Sequence, residues 1–148
     1  MEIKGEYSLD YPRERVWPLL LDADVLARIM PGCESLRLVA EDEYEATMSI
    51  GIAAVKGKYN GKVLVKEKKP PEHLAIVVDG SGGLGFVKAQ VALDLKAGSN
   101  TTLLAYQAEA EVGGPIASVG HRMLGGVAKL LVNQALKSLK AELDGHRP

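Results

Sequence analysis

Gly80, Gly82 and Gly85, in the stretch VVDGSGGLGFVKAQVAL, have the spacing G-x-G-x-x-G. That spacing can hold a dinucleotide pyrophosphate, provided a helix N-terminus follows the loop directly. Here the following residues alternate instead. Val87, Ala89, Val91, Leu93 and Leu95 fall on one side, and Lys88, Gln90 and Asp94 on the other. Period two predicts a strand, so the phosphate-binding reading fails. Gly80, Gly82, Gly83 and Gly85 are better explained as a hairpin that bends sharply through positive φ angles and leaves no side chains at its mouth.

The other reactive side chains are scattered. Cys33 follows a helix stop in MPGCES, and none of His73, His121 or His146 has a spacing that pairs with it. A nucleophilic cysteine needs such a base and a lowered pKa, so Cys33 reads as structural. His73 falls in a turn, His121 in the last helix and His146 in the tail. No H-x-x-x-H or C-x-x-C is present, so no metal site is expected. Glu109 and Glu111 alternate with alanines, and Lys56, Lys58 and Lys62 read likewise as a solvated strand face. No catalytic constellation and no cofactor site emerges.

Composition narrows the classes. The chain has 148 residues, 47% hydrophobic and 25% charged, with a net charge of −1. One domain spanning 1–148 can bury a core without disulfides or metals. The balanced charge argues against a nucleic-acid partner. A single cysteine excludes an intrachain disulfide and fits a cytoplasmic chain. The start MEIKGEYSLD has no apolar signal region, and no run is long enough to span a bilayer.

Periodicity orders the elements. EIKGEYSL predicts a first strand with Ile3, Gly5, Tyr7 and Leu9 on one face. Asp10 is placed to cap a short helix with Pro12 in its first turn, which carries Val16, Trp17 and Leu20 and is kinked or shortened at Pro18. Asp22 can cap a second short helix, Ala23 to Ile29, stopped by Pro31-Gly32. Six strands follow. Tyr44, Ala46, Met48 and Ile50 share a face, as do Gly57, Tyr59, Gly61, Val63 and Val65, and Leu104, Tyr106, Ala108, Ala110 and Val112. Pro115 then opens a long helix to about Leu143, ahead of a frayed DGHRP. The fold class is α+β: a seven-stranded antiparallel sheet with one wet face, the other covered by the last helix.

That helix carries Gly120, Gly125 and Gly126, each costing about 1 kcal/mol against alanine. Close helix–sheet contact is one reason for them. Missing volume is the other, because Ala46, Gly57, Gly61, Ala89, Ala108 and Ala110 make the facing sheet slight as well. On the helical wheel Ile116, Val119, Met123, Val127, Leu130 and Leu131 form one stripe. Val132, Leu136, Leu139 and Leu143 form another, which is either core at the sheet's end or an exposed contact for a membrane surface, a larger enzyme or a second copy.

Four stretches together, VWPLLLDADVLARIMPGCESL, YEATMSIGIAAVKGKYNGKV, GSGGLGFVKAQVALDL and AEVGGPIASVGHRML, resemble the CoxG family of carbon monoxide dehydrogenase subunits. That family belongs to the helix-grip superfamily of START-like and Bet v 1-like domains, and the resemblance spans nearly the whole chain. It implies a sheet wrapped around the long C-terminal helix with an apolar cavity between them. It also implies an accessory role beside a molybdenum hydroxylase, recruitment to the inner face of the membrane by at most peripheral contact, and a lipophilic ligand such as a quinone. It supplies no catalytic residues.

Alternation and wheel position give the expected lining as Met48, Ile50, Tyr59, Val91, Tyr106, Met123 and Val127, with Trp17, Met30 and Phe86 near the mouth. Tyr59 and Tyr106 are the expected polar handles. Two other functions stay open. One is a cyclase- or hydratase-like enzyme using Tyr59, Tyr106 or His121. The other is a docking subunit using the Val132–Leu143 stripe.

Overall fold

The computed structural model describes residues 1–145; His146 and the two residues after it lie outside the described residues. Seven strands form one antiparallel sheet: β1 (Glu2–Leu9), β2 (Cys33–Ala40), β3 (Glu43–Ile50), β4 (Gly57–Lys69), β5 (His73–Gly82), β6 (Gly85–Ala97) and β7 (Thr102–Gly113). Helices α1 (Arg13–Leu19) and α2 (Ala23–Ile29) separate β1 from β2, and α3 (His121–Gly145) follows β7. The order across the sheet is β1-β7-β6-β5-β4-β3-β2. β2 to β7 run as a meander. β1 crosses to the far edge and pairs with β7, Ile3 opposite Ala108 and Leu9 opposite Thr102.

Local chemistry sets most boundaries. The Asp22 carboxylate accepts from the amides of Asp24 at 2.9 Å and Val25 at 3.3 Å, capping α2 as expected. α1 differs from expectation: it begins after Pro12 with no side-chain cap, and Asp10 lies outside it. The helix runs only one residue past Pro18, because a proline ring crowds the preceding turn. β5 and β6 form the expected hairpin, closing on the pair Gly82 and Gly85 with Gly83-Leu84 between them. Of its four glycines Gly85 alone takes a positive φ, 131°, and a Cβ there would overlap the Gly113 carbonyl oxygen. Gly80 and Gly82 are strand residues.

The long helix does not begin at Pro115. Pro115–Val119 is a 3₁₀ turn bounded by Gly114 at φ 81° and Gly120 at φ 96°. That left-handed geometry interrupts the helix, which restarts at His121. At its other end Asp144 and Gly145 continue the helix beyond Leu143 instead of fraying.

Two separate apolar clusters hold the layers together. The larger joins Leu9, Leu74, Leu95 and Leu104 of the sheet, Val16, Trp17, Val25 and Ile29 of α1 and α2, and Leu136, Leu139 and Leu143 of α3. The smaller is Val55, Ile116 and Leu124. The stripe Val132–Leu143 is therefore core and not an exposed docking surface: Leu136, Leu139 and Leu143 are buried and Val132 packs against them. α1 and α2 cover this end of the sheet, so the helix needs an apolar side here.

Candidate functional site: an uncovered apolar band beneath the long helix

Register places one face of every strand toward α3. Across the middle of that face run Tyr44, Val63, Val78, Ala89 and Ala110, with Val65, Ile76, Val91, Ala108 and Ile3 beside them. Among the described residues, Met48, Val63, Val78, Val87 and Val91 are half-buried and pack against neither cluster. A Cβ on Gly61 or Gly80 would meet only strand backbone, at 3.7 Å or more. From the other side, half-buried Gly125 would meet nothing within 4 Å. Small residues on both floor and roof are what an apolar gap between the clusters would require, and Gly125 is not held to glycine by a contact at its own position.

The expected lining residues divide accordingly. Met48 and Val91 lie on the inner face, half-buried and outside both clusters. Ile50, Tyr59 and Val127 stand at its end beside the smaller cluster, and Tyr106 beside the larger. Met123 is 52% exposed and Met30, at the C-cap of α2, is 38% exposed. Two placements at the mouth are corrected. Trp17 is buried in the larger cluster because α1 turns its apolar side onto the sheet. Phe86 shares the outward face with Lys88, its ring laid over Gly113 and the Lys88 ammonium 5.7 Å from the ring centre. Val63 and Val87 were legible from alternation alone; Val78 emerges only from its register with Val63 and Ala89.

The polar groups differ from one another. The Tyr59 hydroxyl donates to the Val55 carbonyl at 2.6 Å, so its proton ties down the turn Ala53–Val55 instead of serving a ligand. Burial pushes its pKa up. Tyr106 lies flat across Gly5 on the same inner face, and among the described residues its hydroxyl has no hydrogen-bond partner in the protein. His121 is exposed, in a surface groove of about 220 Å³ with Met1, Ala110, Val112 and Leu124. Tyr59, Tyr106 and His121 therefore do not converge. Cys33 donates to the Ser35 carbonyl at 3.3 Å, and burial pushes the thiol up, which weakens it as a nucleophile at neutral pH.

The outer face has different chemistry. Arg37, Glu45, Lys62, Asp79, Lys88 and Glu111 oppose one another in register from β2 to β7, alternating in sign. Such cross-strand pairs stabilise a wet face. A trough of about 440 Å³ lies beside this row, lined by Ser35, Arg37, Thr47, Asn60, Lys62 and Asp79. It is open and charged, and gives an apolar molecule nothing to bury against. His73 is not in a turn but begins β5, with Nδ1 2.7 Å from Asp94 and Nε2 3.2 Å from Glu67. Among the described residues no cluster of three or more metal-ligating side chains occurs, and no helix is long and apolar enough to cross a membrane.

Comparison with known proteins agrees with this geometry. The profile of the CoxG family of carbon monoxide dehydrogenase subunits matches residues 5–144. No curated protein matches the chain. Among solved structures, a conserved protein from Geobacillus kaustophilus is 44% identical at TM-score 0.95, covering 98% of this chain and 96% of that one. A START superfamily protein from Mycobacterium smegmatis is 14% identical at TM-score 0.81, covering 99% of both. A Thermus thermophilus protein is 17% identical at TM-score 0.75, covering 100% of each chain. The last two show the shared fold alone.

Proposed function

The chain belongs to the CoxG family of carbon monoxide dehydrogenase subunits, and on that premise we propose that it is a non-catalytic binding module for an apolar small molecule of quinone or lipid-like type. It would serve as an accessory subunit of a molybdenum hydroxylase in the cytoplasm, with at most peripheral contact at the membrane. The observation that carries the reading is the half-buried apolar band Met48, Val63, Val78, Val87 and Val91, which packs against neither cluster. Covering about 300 Å² of such surface contributes about 7 kcal/mol gross, against which the cost of association is set. The enzyme reading loses its support, because its three acid–base candidates stand apart. If the module docks on a larger enzyme, exposed Met30, Leu38, Val39, Phe86, Met123 and Leu130 are large apolar residues available for the contact.

Thermal unfolding against a series of ubiquinone, menaquinone and fatty-acid analogues tests the proposal. A ligand at a hundred times its Kd stabilises the fold by about 2.7 kcal/mol, a clear rise in Tm. No shift with any member of the series at its solubility limit would count against a binding module.

A further inference from the structure

Resting on that reading of the gap, we infer that the first turns of α3 are a lid that swings on Gly120 to let the ligand pass between helix and sheet. Three independent features converge on this segment. First, the chain before it is jointed at two places: Gly114 at φ 81° and Gly120 at φ 96° bracket the turn Pro115–Val119. The near side of that turn is fixed, since the Ile116 amide donates to the Leu84 carbonyl at 2.6 Å. Movement therefore belongs to the far side, beyond Gly120.

Second, the helix is anchored unequally. Its far half holds Leu136, Leu139 and Leu143 in the larger cluster, with Glu142 paired to Arg28 and Asp144 accepting from the Tyr11 hydroxyl. Its near half contributes Leu124 to the smaller cluster, beside Val55 and Ile116, with half-buried Val127 packed against it. Segments with few buried contacts open at low free energy, independently of the rest of the fold.

Third, Gly125 and Gly126 weaken the helix at this point without a packing reason. A Cβ at either would meet nothing within 4 Å. Alanine fits and is the better helix former, so glycine here favours transient unwinding. Met123 and Leu130 on this half are 52% and 46% exposed. A lid that opens here uncovers the gap from the end where Val127 and Tyr59 stand.

The test uses 8-anilinonaphthalene-1-sulfonate as the probe, with decanoic acid as competitor, on the full chain and on the double variant Gly125→Ala with Gly126→Ala. A tighter lid slows association and release together, each by about tenfold or more. Stopped-flow fluorescence reads both rates. Unchanged rates in a variant of raised Tm would overturn the lid and leave the gap intact. Amide hydrogen exchange on the free protein decides the same point without a ligand. Gly125 to Leu131 should exchange faster than Leu136 to Leu143, and more slowly in the double variant; equal protection along α3 would sink the lid. Failure of the wild-type chain to bind the probe displaceably would instead defeat the binding-module reading, while the exchange contrast still judges the lid.

Discussion

Gly5 and Tyr106 show how a single absent methyl shapes the gap. The Tyr106 ring lies where a Gly5 Cβ would be, so the tyrosine stays close against β1 while it packs beside the larger cluster. Gly5→Ala should lift the ring into the gap, costing about 1–2 kcal/mol of stability by crowding and weakening probe binding severalfold. Urea unfolding and fluorescence titration measure the two effects, and Tyr106→Leu in the same background should restore binding. Tyr59 is the opposite case, a latch whose loss as Tyr59→Phe costs about 1 kcal/mol while ligand affinity stays unchanged. Burial raises the pKa of both Tyr44 and Tyr59, with the Asp42 charge a lesser cause at Tyr44. The fold favours the neutral phenols, so their contribution is intact below about pH 10, the ordinary tyrosine value. It is lost as pH climbs through the raised folded-state values. Urea midpoints recorded from pH 8 upward should fall on the alkaline side, and fall less in Tyr59→Phe.

At the scale of elements, α3 has a firmly anchored end and a lightly held one. Leu139→Ala, at 2% exposure, should cost about 2–5 kcal/mol. Leu130→Ala, at 46% exposure, should stay within about 0.5 kcal/mol. Urea unfolding of the pair separates the two ends. Alternation made the strands, their inner faces and the antiparallel class readable from sequence, because period two is imposed by the pleat itself. Which end of α3 is covered was not readable. A wheel reports the side of a helix, whereas burial of Leu136 and Leu143 depends on where α1 and α2 lie. The break at Gly120 was hidden because glycine permits a left-handed residue without requiring one. Phe86 was misplaced for a simpler reason: nearness to the hairpin glycines outweighed its parity with Lys88, which already put it outside.

For the molecule as a whole, the proposed binding role requires an interior that its own side chains leave underfilled. Ala89 sits on the inner face between Val78 and Ala110. In a solid core Ala89→Leu would cost about 1–3 kcal/mol. Here it should be neutral or mildly stabilising while reducing probe affinity, and a calorimetric Tm with a titration gives both numbers. The sheet order has a consequence for biosynthesis. β1 finds its partner only in β7, so that edge of the sheet stays unpaired until β7 has been made. In the proposed binding role, the site has no wall on one side until β7 is made and no roof until α3 follows. A ligand site of this kind is completed only by β7 and α3, so binding follows their formation.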